Sequence, residues 1–351
     1  MARFLIPFIA ATLISFFMTP VAKKVAYKIG AIDIPKDGRR VHKKPVPLLG
    51  GLAIYIATVI SAIIFIPLDR TLVSIIIGSS IIVASGIIDD SMDLSPRMKL
   101  IFQIAASLVI ISGDVKIDFI TNPFSKENTL IYLGWLSIPF TIFWVVGITN
   151  TLNLIDGLDG LAAGVAMIAS LSLVFIAYNA NGIMNSSYIH IMIISSIIAG
   201  ACLGFLPFNF NPAKIFMGDT GALFLGFMLS TVTIEGVMKS AAAIAIVAPI
   251  IVLGLPIFDT TFAIFRRLLN GKSIMEADKE HLHHKFLNKG LNQKQTVFIM
   301  YLISGLFGFC AVAVSKFNSG QVVIISGIII LLTIIFAGKL CVENKRRNGK
   351  K

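Results

Sequence analysis

Residues 138–178 read IPFTIFWVVGITNTLNLIDGLDGLAAGVAMIASLSLVFIAY, two apolar stretches joined by the short segment NLIDGLDG (153–160). Each apolar stretch has about the length and composition of a membrane-spanning helix. The two aspartates of NLIDGLDG therefore lie at a membrane border. The same pattern, apolar runs separated by charged loops, recurs along the whole chain. This stretch is therefore typical of the fold class.

The overall composition leads to the same fold class. Of the 351 residues, 56% are hydrophobic and only 14% are charged, with a mean hydropathy of +0.88. This apolar content exceeds what one soluble core needs. We predict an all-α integral membrane protein, a polytopic helical bundle that forms a single domain over residues 1–351.

Apolar runs of roughly the length that crosses a bilayer predict about eleven transmembrane helices. They are expected near residues 4–21, 48–67, 72–88, 98–112, 138–152, 161–178, 189–206, 222–238, 241–265, 296–315 and 322–338. Residues 113–136 have the pattern of a short external hairpin. Pro249 and Pro256 predict a kink or a break in the ninth span, because proline removes a backbone donor.

Basic residues orient the bundle. The loops 23–47, 89–99, 207–220 and 266–295 and the tail 339–351 carry 24 of the 30 Lys and Arg residues. The positive-inside rule places them, with loop 153–160, in the cytoplasm of a multi-pass inner (plasma) membrane protein, N-terminus outside and C-terminus inside. Topology and anionic lipid account for the net charge of +12, so no nucleic-acid partner is expected.

Aspartates concentrate at the cytoplasmic border, and helix polarity divides them into two groups. Asp89, Asp90 and Asp156 follow spans that end in the cytoplasm, where the helix dipole disfavours negative charge. Asp159 and Asp219 precede spans that begin there, where an aspartate can simply cap free amide groups. A solvated loop remains the alternative for Asp89 and Asp90.

A bound cation would relieve the repulsion among these acids. If the helices bundle, carboxylates from three borders converge, and hard oxygen ligands suit Mg²⁺ better than a soft metal. Mg²⁺ also leaves coordination positions for water and for a phosphate group. A cation-coupled secondary transporter is the rival class, although its ion site is expected near the middle of the bilayer.

Two cytoplasmic loops supply positive and neutral donors. One contains Arg266, Arg267, His281, His283 and His284, which are suited to phosphate recognition. A zinc site and a basic loop with incidental histidines are the alternatives. The other loop carries His42, Lys43 and Lys44, which are suited to a lipid phosphate at headgroup depth, although these charges also serve as a topology signal.

Five motifs in order resemble those of the polyprenyl-phosphate N-acetylhexosamine-1-phosphate transferases. They are PxxGG (47–51), IIDD (87–90), NxxNLIDGLDGL (150–161), FMGDTG (216–221) and HLHH (281–284). The resemblance covers essentially the whole chain. HLHH after ADKE is similar to the branch that uses UDP-GlcNAc, since the branch that transfers phospho-MurNAc-pentapeptide typically has three consecutive histidines.

The resemblance implies transfer of N-acetylglucosamine 1-phosphate from UDP-GlcNAc to undecaprenyl phosphate, with release of UMP and a requirement for Mg²⁺, which Mn²⁺ can replace. This is the first membrane step of teichoic acid, O-antigen or related cell-envelope glycan synthesis. Phospho-MurNAc-pentapeptide transfer in peptidoglycan synthesis is the alternative within the family. The resemblance also suggests a homodimer.

The resemblance further assigns roles to individual residues. It implies that Asp219 is a metal ligand and that Asp89, Asp90 and Asp156 are catalytic. The remaining roles are nucleotide binding for Asn153, Asp159 and Phe216, diphosphate and sugar binding for Arg266, Arg267, His281, His283 and His284, and lipid-phosphate binding for His42, Lys43 and Lys44.

Overall fold

The computed structural model describes residues 2–34, 45–121, 130–179, 186–235, 250–269 and 281–314. Eleven α-helices lie within these ranges. They are α1 (Ala2–Ile29), α2 (Gly50–Phe65), α3 (Arg70–Met92), α4 (Pro96–Ser112), α5 (Ser137–Ile155), α6 (Leu161–Asn179), α7 (Ser186–Asn209), α8 (Gly218–Thr233), α9 (Gly254–Leu269), α10 (Leu282–Asn288) and α11 (Gln293–Val314).

The structure confirms the predicted fold class of an all-α multi-pass membrane protein. Within the described residues, six helices, fewer than the eleven predicted spans, are long and apolar enough to cross a membrane. They are α1, α3, α5, α6, α7 and α11, and α2 is a shorter apolar helix. Helices suit this setting because every backbone polar group must find its partner within the protein. The predicted eleventh span, near residues 322–338, lies outside the described residues.

Helix α8 lies at the centre of the bundle and contacts α2, α3, α5, α6 and α7. All of its residues from Thr220 to Thr233 are buried. In contrast, α1 presents Leu5, Leu13 and Phe17 on its exposed side, as expected of a helix that faces lipid. Helix α8 is therefore surrounded by other helices along most of its length.

Several predicted loops are partly helical. Helix α1 continues to Ile29, and its 28 residues correspond to about 42 Å, more than the ~30 Å hydrocarbon core. Helix α3 continues through Asp89 and Asp90, and α5 continues to Ile155. The apolar runs in the sequence end before these helices do, because a helix can continue into the polar region beyond the hydrocarbon core.

Two pairs of short strands also lie within the described residues. Strand β1 (Ile32–Asp33) pairs with β2 (Val46–Pro47) in antiparallel fashion. Strand β3 (Phe119–Thr121) pairs with β4 (Leu130–Tyr132), which confirms the predicted hairpin. In the predicted ninth span, a turn at Leu253 precedes α9, while residues 236–249 lie outside the described part of the chain.

Candidate active site

Three carboxylates from two helices meet at one end of the bundle. Asp89 and Asp90 lie in the last turn of α3, and Asp219 lies in the first turn of α8. One oxygen from each of the three lies within 4.8 Å of the others. Packing of α3 against α8 thus brings together the acids of the IIDD and FMGDTG motifs, which are about 130 residues apart.

Asp90 holds the amino-terminal end of α8. Its carboxylate accepts hydrogen bonds from Asp219 N (2.8 Å), Thr220 N (3.1 Å) and Thr220 Oγ1 (2.6 Å). A negative charge is disfavoured at the carboxyl end of its own helix but stabilised by the free amides that begin another. Asp90 therefore acts as the cap of α8 and fixes the position of Asp219.

Lys99 is a member of the cluster that the sequence prediction missed. Its ammonium nitrogen lies 2.7 Å from Asp89 Oδ2 and 2.6 Å from Asp219 Oδ2. Lys99 lies in the first turn of α4, which begins after the Ser95 cap. The available signal was a lysine, two residues after Arg97, at the start of an otherwise apolar span that follows the IIDD motif.

The acidic trio of Asp89, Asp90 and Asp219 offers hard oxygen ligands that could hold a divalent metal ion. Mg²⁺ prefers carboxylate oxygens and usually binds through one or two of them. Asp89 and Asp219 face the same positive group, while Asp90 uses its oxygens to hold α8. Within the described residues, this is the one group of His, Cys, Asp and Glu side chains with a geometry able to hold a metal ion.

The PxxGG motif builds the wall next to Asp219. Phe216 N donates to Pro47 O (2.8 Å), Gly50 N donates to Phe216 O (2.9 Å), and Gly51 N donates to Met217 O (2.9 Å). A Cβ on Gly51 would lie only 2.1 Å from Gly221 Cα, so glycine is required where α2 meets α8. These contacts fix the backbone of the half-buried Phe216.

Asp156 is the carboxyl-terminal cap residue of α5, and its amide donates to Asn153 O. Burial, together with the repulsion of nearby negative charges, raises the pKa of the Asp156 carboxyl to about 8. Those charges belong to Asp219, Asp90 and Asp159. Asn153 also lies close enough to hydrogen-bond Asp219. NLIDGLDG is thereby placed against the acidic trio, and Asp156 is suited to hold a proton near neutral pH.

Asp159 turns away from the first turn of α6. Its Oδ2 accepts hydrogen bonds from Asn211 Nδ2 (2.9 Å) and Ala213 N (3.0 Å). The next residue, Gly160, donates its amide to Asn209 Oδ1 (3.0 Å), and Asn209 Nδ2 donates to Ile215 O (3.0 Å). Asn209 and Asn211 thus join NLIDGLDG to the segment before FMGDTG, a role for which their sequence pattern contains no signal.

The histidine segment, residues 281–284, is attached to α9 through Asp259. The Asp259 carboxylate lies 2.9 Å from His281 Nδ1. It also accepts a 2.7 Å hydrogen bond from the amide of Leu282, the first residue of α10. The ring centroid of His283 lies 5.8 Å from that of His281 and 4.2 Å from that of His284. Arg267 is buried in the last turn of α9, after Arg266.

His283 is 1% exposed and packs on the NLIDGLDG turn. A Cβ on Gly157 would lie 2.5 Å from His283 Nε2. Burial, followed by repulsion from His284, lowers the pKa of His283 to about 4. His283 is therefore neutral at pH 7 and links the histidine segment to the backbone beside Asp156. His42, Lys43 and Lys44 lie outside the described residues.

Comparisons with known proteins agree with the motifs. The family model described as glycosyl transferase family 4 matches residues 72–237. A Bacillus subtilis protein described as a probable undecaprenyl-phosphate N-acetylglucosaminyl 1-phosphate transferase is 41% identical over 96% of this chain and 90% of its own length.

Two further relatives carry other names. The decaprenyl-phosphate N-acetylglucosaminephosphotransferase of Mycolicibacterium smegmatis is 34% identical over 93% of this chain and 86% of that protein. The phospho-N-acetylmuramoyl-pentapeptide-transferase of Desulfotalea psychrophila is 31% identical over 88% of this chain and 91% of that protein.

Proposed function

Because the chain belongs to glycosyl transferase family 4, we propose that it transfers N-acetylglucosamine 1-phosphate from UDP-GlcNAc to undecaprenyl phosphate and releases UMP. The observation that carries this choice of substrates is the 41% identity to the Bacillus subtilis relative along 96% of the chain. The product, undecaprenyl-diphosphate-GlcNAc, would begin the synthesis of teichoic acid, O-antigen or a related cell-envelope glycan.

Phospho-MurNAc-pentapeptide transfer is the alternative activity within the family. It is supported by relatives such as the Desulfotalea psychrophila protein, whose identity is 31%. The tract HLHH, which lacks three consecutive histidines, favours the GlcNAc branch. The acidic residues alone also allowed a cation-coupled transporter. Membership of this family favours a transferase over that hypothesis.

Asp219 and Asp89 are the residues proposed to hold Mg²⁺, for which Mn²⁺ could substitute. The ion, when bound, would offset the negative charge of the reacting phosphates. Asp90 fixes Asp219 through three hydrogen bonds to the start of α8. Lys99 adds a positive charge beside the same carboxylates. Charge compensation of this kind is needed because two unit charges ~4 Å apart repel by about 4 kcal/mol at an intermediate dielectric.

The proposed reaction is a direct displacement. An oxygen of the acceptor phosphate forms a bond to the β-phosphorus of UDP-GlcNAc, and the bond from that phosphorus to the bridging oxygen of UMP breaks. Asp89 is proposed to position or deprotonate the acceptor, and Asp156, whose pKa is raised, lies near Asp219 and Asp90. Asn153, Asp159 and Phe216 are proposed to contact the nucleotide. His281, His284, Arg266 and Arg267 are proposed to hold the diphosphate and sugar, with His283 supporting them from its buried position.

The site is proposed to lie on the cytoplasmic side of the inner membrane, because one substrate is a membrane lipid and the other is a cytosolic nucleotide. The N-terminus is then outside and the tail 339–351 inside. Loops 23–47, 89–99, 153–160, 207–220 and 266–295 lie on the cytoplasmic side. His42, Lys43 and Lys44 remain proposed contacts for the lipid phosphate, and a homodimer remains a proposal.

Release of UMP by the purified full-length protein tests this function. We expect release from UDP-GlcNAc only when undecaprenyl phosphate and Mg²⁺ are both present. Parallel assays with UDP-GalNAc and UDP-MurNAc-pentapeptide identify the sugar, and faster turnover of either would overturn the proposed donor. Trapping a phosphorylated protein with UDP-GlcNAc alone would replace direct displacement by a two-step route through an aspartyl-phosphate.

A further inference from the structure

The peptide that follows Asp159 is held by side chains from two other helices. Gly160 N donates to Asn209 Oδ1 at the end of α7 (3.0 Å). Gly160 O accepts a hydrogen bond from the hydroxyl of Tyr301 on α11 and one from Gly164 N within α6. Gly160 has φ of +81°, a conformation that glycine adopts without strain. This turn is therefore shaped by contacts from outside NLIDGLDG.

The ring of Tyr301 is fixed against α6. A Cβ on Gly164 would lie 2.1 Å from Tyr301 Cζ, so the ring occupies the space that a larger residue at this position would take. Tyr301 is half-buried, and α11 contacts α6 along this face. The hydroxyl is thus presented to Gly160 O by a ring that has little freedom to move.

Helix α11 reaches Asp159 by a second connection. Asn211 Nδ2 donates both to Asp159 Oδ2 (2.9 Å) and to Gln293 Oε1 (2.6 Å), and Gln293 is the first residue of α11. The carboxylate of Asp159 and the carbonyl of the next residue are therefore both linked to the same helix. Tyr301 and Gln293 lie beyond residues 72–237, the part of the chain that the family model matches.

We propose that Tyr301 is a positioning residue that acts through Gly160 on Asp159 and so sets the affinity of the site for the nucleotide part of the donor. This inference rests on the proposed function, in which Asp159 contacts the nucleotide. Without the hydroxyl, Gly160 O keeps only its bond from Gly164 N, and the turn gains conformational freedom. That freedom must be lost again when the nucleotide binds, which weakens binding.

Tyr301→Phe removes the hydroxyl and keeps the ring. We expect the KM for UDP-GlcNAc and the Kd for UMP to rise about fivefold, the range of one hydrogen bond. The KM for undecaprenyl phosphate should stay at the wild-type value. Gly164→Ala retains the hydroxyl but displaces the ring, so it should raise the same two constants.

Tyr55→Phe is the matched control. Tyr55 on α2 is half-buried, and its hydroxyl forms a 2.7 Å hydrogen bond with Ser80 Oγ on α3. This variant also loses one tyrosine hydrogen bond within the bundle, but away from the NLIDGLDG turn. It should change the thermal midpoint as much as Tyr301→Phe and leave the donor KM and the UMP Kd unchanged.

The outcomes separate this inference from the proposed function. Equal kinetic constants and UMP affinities for the Tyr301 and Tyr55 variants would overturn the positioning role while leaving the function intact. If wild-type protein does not release UMP from UDP-GlcNAc, the proposed donor is wrong, and equilibrium dialysis with UMP decides the role of Tyr301. Unchanged UMP affinity in Tyr301→Phe, or a wild-type protein that binds no UMP, would then overturn it.

Discussion

Lys99→Met tests the charge balance of the acidic cluster. The lysine ammonium lies within 2.7 Å of oxygens of both Asp89 and Asp219. Methionine keeps an unbranched apolar side chain and removes the positive charge. Two carboxylates then face each other without a counter-ion, so we expect the variant to be less stable than the wild type in the presence of a chelator.

The size of the effect follows from burial. Breaking a fully buried ion pair costs about 3–5 kcal/mol, whereas exposed pairs contribute about 0–1 kcal/mol. The side chains of Lys99, Asp89 and Asp219 are 24%, 11% and 25% exposed, so about 2 kcal/mol is expected. For a chain of this length, such a loss lowers the thermal midpoint by about 3 °C.

Thermal unfolding of the purified protein with chelator measures the loss of stability. Repeating it with millimolar Mg²⁺ measures how much the ion stabilises each variant. Mg²⁺ should stabilise Lys99→Met more than the wild type, because the ion replaces the missing charge and binds only the folded site. Lys116→Met is the control, since Lys116 lies 3.6 Å from both Asp114 and Asp118 in another part of the molecule. If Mg²⁺ shifts the two variants equally, Lys99 does not balance a metal site.

Three further changes test other parts of the site. Asp219→Asn should abolish Mg²⁺-dependent UMP release, and full activity would refute the assignment of Asp219 as a metal ligand. Gly157→Ala should displace the histidine segment and lower turnover at least tenfold, because the added Cβ would lie 2.5 Å from His283 Nε2; the control is Gly147→Ala, whose Cβ would have no neighbour within 4 Å. The pKa of His283 is lowered to about 4 in the folded protein, so unfolded chains take up a proton first as the pH falls below 6.5. Stability should then decrease by at most ~1.4 kcal/mol per pH unit down to about pH 4, and denaturation curves of His283→Gln should lack this contribution.

Local sequence signals were sufficient for the fold class and for parts of the site. Long apolar runs predicted the helices, and the pattern around residues 113–136 predicted the hairpin of β3 and β4. Helix polarity placed Asp89 and Asp90 at the carboxyl end of α3, as found. These predictions succeed because each depends on a residue and its near neighbours in the chain.

The partners of these acids could not be predicted in the same way. N-capping was the alternative for Asp159 and Asp219, yet α8 is capped by Asp90, and Asp159 accepts hydrogen bonds from Asn211 and Ala213. Lys99 was counted as a topology signal, although it pairs with two members of the cluster. Each of these contacts depends on which helix packs beside which.

The sequence by itself determined that the protein is a helical membrane protein, that most of its basic residues fall in one of two alternating sets of loops, and which motifs resemble a transferase. Hydropathy, charge asymmetry and short motifs are local properties, so they can be read before folding. Only the tertiary structure decided that Asp90 holds Asp219, that Lys99 lies between two aspartates, and that His283 packs on Gly157. Those relations arise because helices distant in the chain bury their apolar faces together, and only that packing brings their polar ends into contact.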